Sequence, residues 1–177
     1  MNPETLVAFW RDAGAAKWFD GGPAFDAECR DRFEAAHLAA SRGDCAWWND
    51  SPDGALGLQL LLDQIPRNIY RGSAHAFATD ALARQYARTA LAAGLDAQVE
   101  PGLRLFLYLP FEHSEAVADQ ELALSLIAAL GDAAYTRYAR EHLAVIREFG
   151  RFPHRNAVLG RTSTPQERAW LAAGGGF

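Results

Sequence analysis

Three polar blocks hold most of the groups in this chain that could do chemistry. They are Leu62-Asp63-Gln64-Ile65-Pro66-Arg67-Asn68 followed by Arg71, then Glu112-His113-Ser114-Glu115, then Arg151-Phe152-Pro153-His154-Arg155-Asn156 followed by Arg161. Each sets charged or ring-bearing side chains beside large hydrophobic ones, and such groups are costly to desolvate unless they find partners. The guanidinium of Arg67, Arg71, Arg151, Arg155 or Arg161 can grip a carboxylate or a phosphate at two points. Brought together with Gln64, Asn68, His113, His154 and Asn156, these arginines would line a groove for an acidic small molecule or a peptide. The opposing reading is structural. The same arginines would then pair with Asp63, Asp80, Glu112 and Glu115 and pin helix ends, because partly buried ion pairs often serve packing rather than ligands. For the cluster as a whole the two readings stand side by side.

The second block adds acid–base possibilities. His113 lies between a carboxylate and a hydroxyl, so a hydrolase-type site is conceivable. Its general base would be His113 or His154, oriented by Asp63 or Glu115, with Ser114 as nucleophile. Adjacent residues on a turn point apart, however, and Ser114 has the simpler task of capping a helix. His37, His75 and His142 fall on ordinary helix faces. No two histidines stand at helical ligand spacing, and Cys29 and Cys45 fit no metal or redox pattern. A mixed metal site from Asp63, His113, Glu115 and His154 would need convergence that spacing alone does not supply. No metal and no cofactor is expected. Lys17 is the only lysine, and no glycine-rich loop precedes it, which argues against P-loop chemistry.

The elements that must position these blocks read as helices throughout. Asn2-Pro3 is a cap followed by proline, with Leu6, Phe9, Trp10 and Ala13 at helical spacing. A second helix is predicted over Ala24 to Ser41, with Phe25, Cys29, Phe33 and Ala36 on one side. Ser51-Pro52 opens a third, which Pro66 should stop. Gly72-Ser73 should open a fourth, ended by Gly94. A fifth is expected from near Pro101 to just before Pro110; its apolar run could pass for a strand, but no partner strand is evident. Ser114 should cap a sixth through Leu130, and a seventh should run from Asp132 to Phe149. Thr164-Pro165-Gln166-Glu167 spells a capping box for a last short helix. Gly174-Gly175-Gly176 reads as a frayed tail.

Bulk properties narrow the field. The 177 residues are half hydrophobic and carry a net charge of −5. That length suits one domain, over 1–177, with a sizeable core. The acidic balance argues against a nucleic-acid surface or an anionic-membrane surface. No stretch is apolar enough to span a bilayer, and Met1-Asn2-Pro3-Glu4 lacks the basic and apolar runs of a signal peptide. A cytoplasmic protein is expected. Trp10, Trp18, Trp47 and Trp48 should mostly build core, except that neighbours Trp47 and Trp48 cannot both face inward. One of them would line a groove or a self-association surface, which keeps a homo-oligomer open.

Three longer stretches containing these blocks resemble a known family. They are Leu62-Asp63-Gln64-Ile65-Pro66-Arg67-Asn68-Ile69-Tyr70-Arg71-Gly72 with Ala76-Phe77-Ala78-Thr79-Asp80, then Phe106 to Glu115, then Phe149 to Asn156 with Leu159 to Thr164. The pattern is similar, in order and over nearly the whole chain, to the mostly bacterial family labelled domain of unknown function 924. Ile65 departs from it, standing where that family often has phenylalanine. The resemblance implies a tetratricopeptide-like fold and carries no established activity, so no catalytic residue is transferred. The expected architecture is therefore all-α, a right-handed tetratricopeptide-like array of antiparallel helix pairs. The expected function is a binding module for an acidic small molecule or peptide. A hydrolase-type enzyme and a purely structural or oligomerising protein are the alternatives.

Overall fold

The computed structural model describes all of residues 1–177. The protein is all-α, with no strand. Its chain forms two compact units: Met1–Arg71 with His75–Pro110, and Gly72–Ala74 with Phe111–Phe177.

The first unit begins with α1 (Pro3–Ala13), where the Asn2 side chain accepts from the Thr5 N–H as the sequence predicts. After the short α2 (Ala15–Trp18) comes α3 (Gly22–Ser41), which turns Phe25, Cys29 and Phe33 inward. The core is aromatic: Trp10 is fully buried and meets Phe106 edge-on at 5.5 Å, while Phe9 stacks on Phe25. Each such side chain contributes about 2–3 kcal/mol by leaving water. Of the tryptophan pair, Trp48 is buried and Trp47 is 62% exposed.

The third helix departs from expectation in an informative way. α4 (Pro52–Gln59) does not stop at Pro66; it passes through one π turn, Leu60–Gln64, into α5 (Ile65–Ile69). In the π turn the Ile65 N–H reaches back five residues to Leu60. Pro66 has no N–H to offer the Leu62 carbonyl four residues earlier. Both freed carbonyls find other donors. His37 Nδ1 donates to Leu61 O at 2.8 Å, and the Thr79 hydroxyl donates to Leu62 O at 2.5 Å. A π turn absorbs the proline because its displaced backbone groups are satisfied from neighbouring elements.

The remaining helices of this unit are α6 (Asp80–Ala92), which starts later than Gly72-Ser73 suggested, and most of α7 (Leu105–Glu112). A 3-10 turn, Ala74–Phe77, takes up the intervening residues. Pro110 lies inside α7 rather than beyond it. Every residue from Leu105 to Glu112 is buried, so packing carries the helix past its missing bond.

The second unit is built on the hairpin of α8 (Val117–Ala128) and α9 (Ala133–Phe149), whose short connection makes the two antiparallel. Asp132 caps α9 through the N–H groups of Ala134 and Tyr135, and Gly150 closes it in the left-handed conformation. Its core joins Val145, Ile146 and Phe152, with Phe149 and Trp170 packed against them. The last helix, α10 (Pro165–Ala172), carries the expected capping box of Thr164 and Glu167. No helix of the protein is long and apolar enough to cross a membrane.

Candidate functional site

The first polar block resolves into ion pairs inside the first unit. Asp63 lies in the π turn with no exposed surface. Arg67 sits one turn later, 3.2 Å from Asp63 Oδ1, and grips Asp80 at two points, 3.0 and 3.1 Å. Burial works against the Arg67 charge; the carboxylates of Asp63 and Asp80 more than offset it and raise its pKa. Gln64 donates to Asp63 Oδ2 at 2.6 Å. Arg71 binds both oxygens of Asp26 at 2.8 and 2.9 Å, and reaches Asn68 Oδ1 at 3.2 Å. For Arg67 this is the pairing with Asp63 and Asp80 that the structural reading expects.

The second and third blocks meet in the second unit, although 46 residues separate Glu115 from Arg161. The Glu115 carboxylate accepts from Arg161 at 2.8 and 3.0 Å and from the Phe152 N–H at 2.8 Å. Burial pushes this carboxyl up, but the hydrogen bonds from Arg161 and Phe152 and the charges of Arg161 and Arg155 reverse that and leave its pKa lowered. Arg151 takes a different partner, Glu167, at 2.6 and 2.8 Å. Glu167 also accepts from the Thr164 N–H at 2.7 Å and from Asn156 at 3.2 Å. The Arg151 bond first, then the Thr164 N–H, hold its pKa down at about 2. The third block is thereby tied to the start of α10.

Ser114 is not placed as a nucleophile. Its hydroxyl donates to Asp119 Oδ2 at 2.7 Å and accepts from the Ala116 N–H. α8 starts at Val117 without a side-chain cap, so Ser114 braces the entry to the helix instead of capping it. Gln120, fully buried beneath it, donates to the carbonyls of Glu112 and Ser114.

What remains is a cluster of imidazoles around Phe152. His142 meets Phe152 edge-on at 5.6 Å, His154 lies 5.5 Å from the same ring, and His113 is 6.4 Å from His142. The Arg155 guanidinium lies 4.4 Å from the Phe152 ring centre and donates to the His113 carbonyl at 3.1 Å. His142 Nδ1 donates to the Tyr138 carbonyl at 2.8 Å and stands 3.6 Å from Glu112 Oε1. Burial first, then the neighbouring charges of His113, Arg155 and His154, lower its pKa to about 3. His154 is lowered to about 4, again by burial and then by Arg155. Its Nδ1 is buried with no hydrogen-bond partner. Both rings are therefore neutral near pH 7, and the Arg155 charge opposes the protonation of each.

His142 was expected on an ordinary helix face, yet it is buried and central to this cluster. The signal was present in the spacing: Ala139, His142, Leu143 and Ile146 form the inward stripe of α9. Phe177 belongs to the cluster as well. Its ring stacks on His142 at 3.6 Å, so Gly174-Gly175-Gly176 leads to a placed side chain. No group of three or more metal-binding side chains is close enough to hold an ion. A shallow hollow of about 510 Å³ between α8 and α9, lined by Leu124, Arg140, Leu143, Ala144, Arg147 and Glu148, includes none of the predicted residues.

Comparison with known proteins agrees with this geometry at the level of fold. The family model described as "Bacterial protein of unknown function (DUF924)" matches residues 6–175. The solved structure of the protein of unknown function ATU0120 from Agrobacterium tumefaciens is similar, with a TM-score of 0.94, 46% identity and 97% of each chain covered. No curated protein matches the chain.

Proposed function

Because the chain belongs to the bacterial family DUF924, and that membership brings no activity with it, we propose a function from the site itself: a binding module for an acidic small molecule or peptide. The arginines do not all serve the ligand in this reading. Arg67, Arg71, Arg151 and Arg161 hold carboxylates of the protein and set the frame. The receiving groups are His113, His154 and Arg155, with Asn156 supporting from the same loop.

The observation that carries the reading is the buried, partnerless Nδ1 of His154, on a ring whose protonation the Arg155 charge opposes. An unsatisfied buried polar atom costs about 1–3 kcal/mol and calls for an explanation. A bound carboxylate supplies one. It offsets the charge of Arg155 that suppresses protonation, and the protonated ring then donates to it. Binding should take up protons. Isothermal titration with succinate, and with an acetylated dipeptide bearing a free carboxylate, in two buffers of different ionisation heat measures this directly. Proton uptake near pH 5, between the free and bound pKa values and lost in His154→Ala with the helical signal intact, is the expected result. Binding without proton uptake, or unchanged by the substitution, overturns it.

A second reading has one specific support, the buried His142–Glu112 pair at 3.6 Å. A hydrolase-type enzyme would run through this pair, because both Glu115 oxygens are held by Arg161. Ester hydrolysis lost in His142→Gln, and showing a pH profile set by one group, would favour it over simple binding.

A further inference from the structure

The path of the last residues is built by its sequence. Gly174 and Gly176 have φ of +87° and +143°, conformations that side-chain-bearing residues rarely adopt. Gly175 lies so close to the Trp170 ring that an added Cβ would stand 2.3 Å from it, and its N–H donates to Trp170 O at 3.0 Å. Each of the three glycines thus has a local reason. Their joint effect is to lay the Phe177 ring on His142, nearly parallel at 16°, and edge-on to both Phe152 and His154. Phe177 itself keeps 51% of its surface exposed. An aromatic ring held against the imidazole cluster by one face is a replaceable occupant.

We infer that the imidazole cluster contains an aromatic subsite on His142, that Phe177 fills it in the free protein as a strap, and that the ligand is an aromatic acid or an acidic peptide with an aromatic side chain, which displaces Phe177. This rests on the acid-binding reading above and deepens it. The ring of the ligand takes the place of Phe177 between His142, Phe152 and His154. Its carboxylate meets His154, which lies edge-on to the displaced ring, and Arg155, whose guanidinium lies 4.4 Å from the centre of the Phe152 ring. The strap competes with an aromatic acid through the subsite, and it obstructs a purely aliphatic acid much less.

The test compares 3-phenylpropionate with hexanoate on the parent protein, Phe177→Ala and Gly175→Ala, the last lifting the strap by crowding Trp170. Removing a competing stacked ring should tighten 3-phenylpropionate about threefold to tenfold in both variants, and hexanoate by less. Equal affinity for 3-phenylpropionate in all three proteins overturns the strap while leaving the acid site standing. Absence of binding by every acid to every protein overturns the acid site and this inference with it. The ring contact has its own readout without ligand: the His142 Hε1 resonance should move in Phe177→Ala as the ring current is lost. An unmoved resonance overturns the strap whatever the acids do.

Discussion

Replacing Glu115 with glutamine should loosen the loop that carries the third block. In the folded protein this carboxylate accepts two bonds from Arg161 and one from the Phe152 N–H. Glutamine keeps one acceptor for Phe152 but turns an N–H group toward Arg161. Hydrogen bonds to charged groups are worth about 1.5–3 kcal/mol each. The side chains are 31% and 22% exposed, so water returns part of the loss. A net cost of about 2 kcal/mol follows, and for a chain of this size that lowers the melting temperature by about 4–8 °C. Thermal unfolding followed by far-ultraviolet circular dichroism at pH 7 reads it. The pH dependence adds a second check. A carboxyl whose folded pKa is lowered stabilises above its unfolded pKa and loses that contribution as pH falls through the folded value. The gap between parent and variant should therefore close in acid. A melting temperature within about 1 °C of the parent at pH 7, or a gap that widens in acid, would refute the assignment of Glu115 as the anchor of this loop.

Three further outcomes follow from the same geometry. Arg67→Met, which removes the guanidinium from the buried Asp63 and Asp80 carboxylates, should cost about 3–5 kcal/mol in urea unfolding; an acid-binding loss with unchanged stability would contradict its structural role. Thr79→Val, which strips the donor from the carbonyl freed by Pro66, should cost about 1–3 kcal/mol, and Pro66→Ala in the same background should recover part of it. His154, with a folded pKa of about 4 against an ordinary 6.5, resists the proton that the unfolded chain accepts. The folded state should therefore lose about 3 kcal/mol between those two pH values. His154→Gln should flatten that slope, and an unchanged slope would show that the ring titrates normally.

The sequence was most legible where local chemistry decides structure. The cap at Asn2 and the capping box at Thr164 form as expected, and the helix starts expected at Ser51-Pro52 and near Asp132 are capped by those side chains, because each needs only residues two or three positions away. The prolines misled for the converse reason. Pro66 and Pro110 are helix stops only if nothing distant compensates. At Pro66 the compensation comes from His37 and Thr79, which spacing cannot place beside Leu61 and Leu62. The site was half legible. Its arginines were foreseen as either ligand-binding or structural, and those of the first block pair structurally. Arg151 with Glu167 and Arg161 with Glu115 are set by tertiary folding over 16 and 46 residues, beyond what periodicity encodes. His142 shares the inward stripe of α9 with apolar residues, and a lone histidine among them suits either face of a helix until its neighbours are placed. Phe177 was missed because three glycines suggest freedom, while here their backbone angles and the closeness of Trp170 hold a defined path.

If the imidazole cluster receives an acidic group, the titration of His154 must respond to it. Its ring protons should be followed by nuclear magnetic resonance from about pH 3 to pH 8, without and with saturating succinate. In the free protein its pKa should lie near about 4, set by burial and Arg155. Bound acid should raise it by at least one pH unit, worth about 1.4 kcal/mol of coupling. A His154 pKa that is the same with and without acid would contradict acid binding at this cluster.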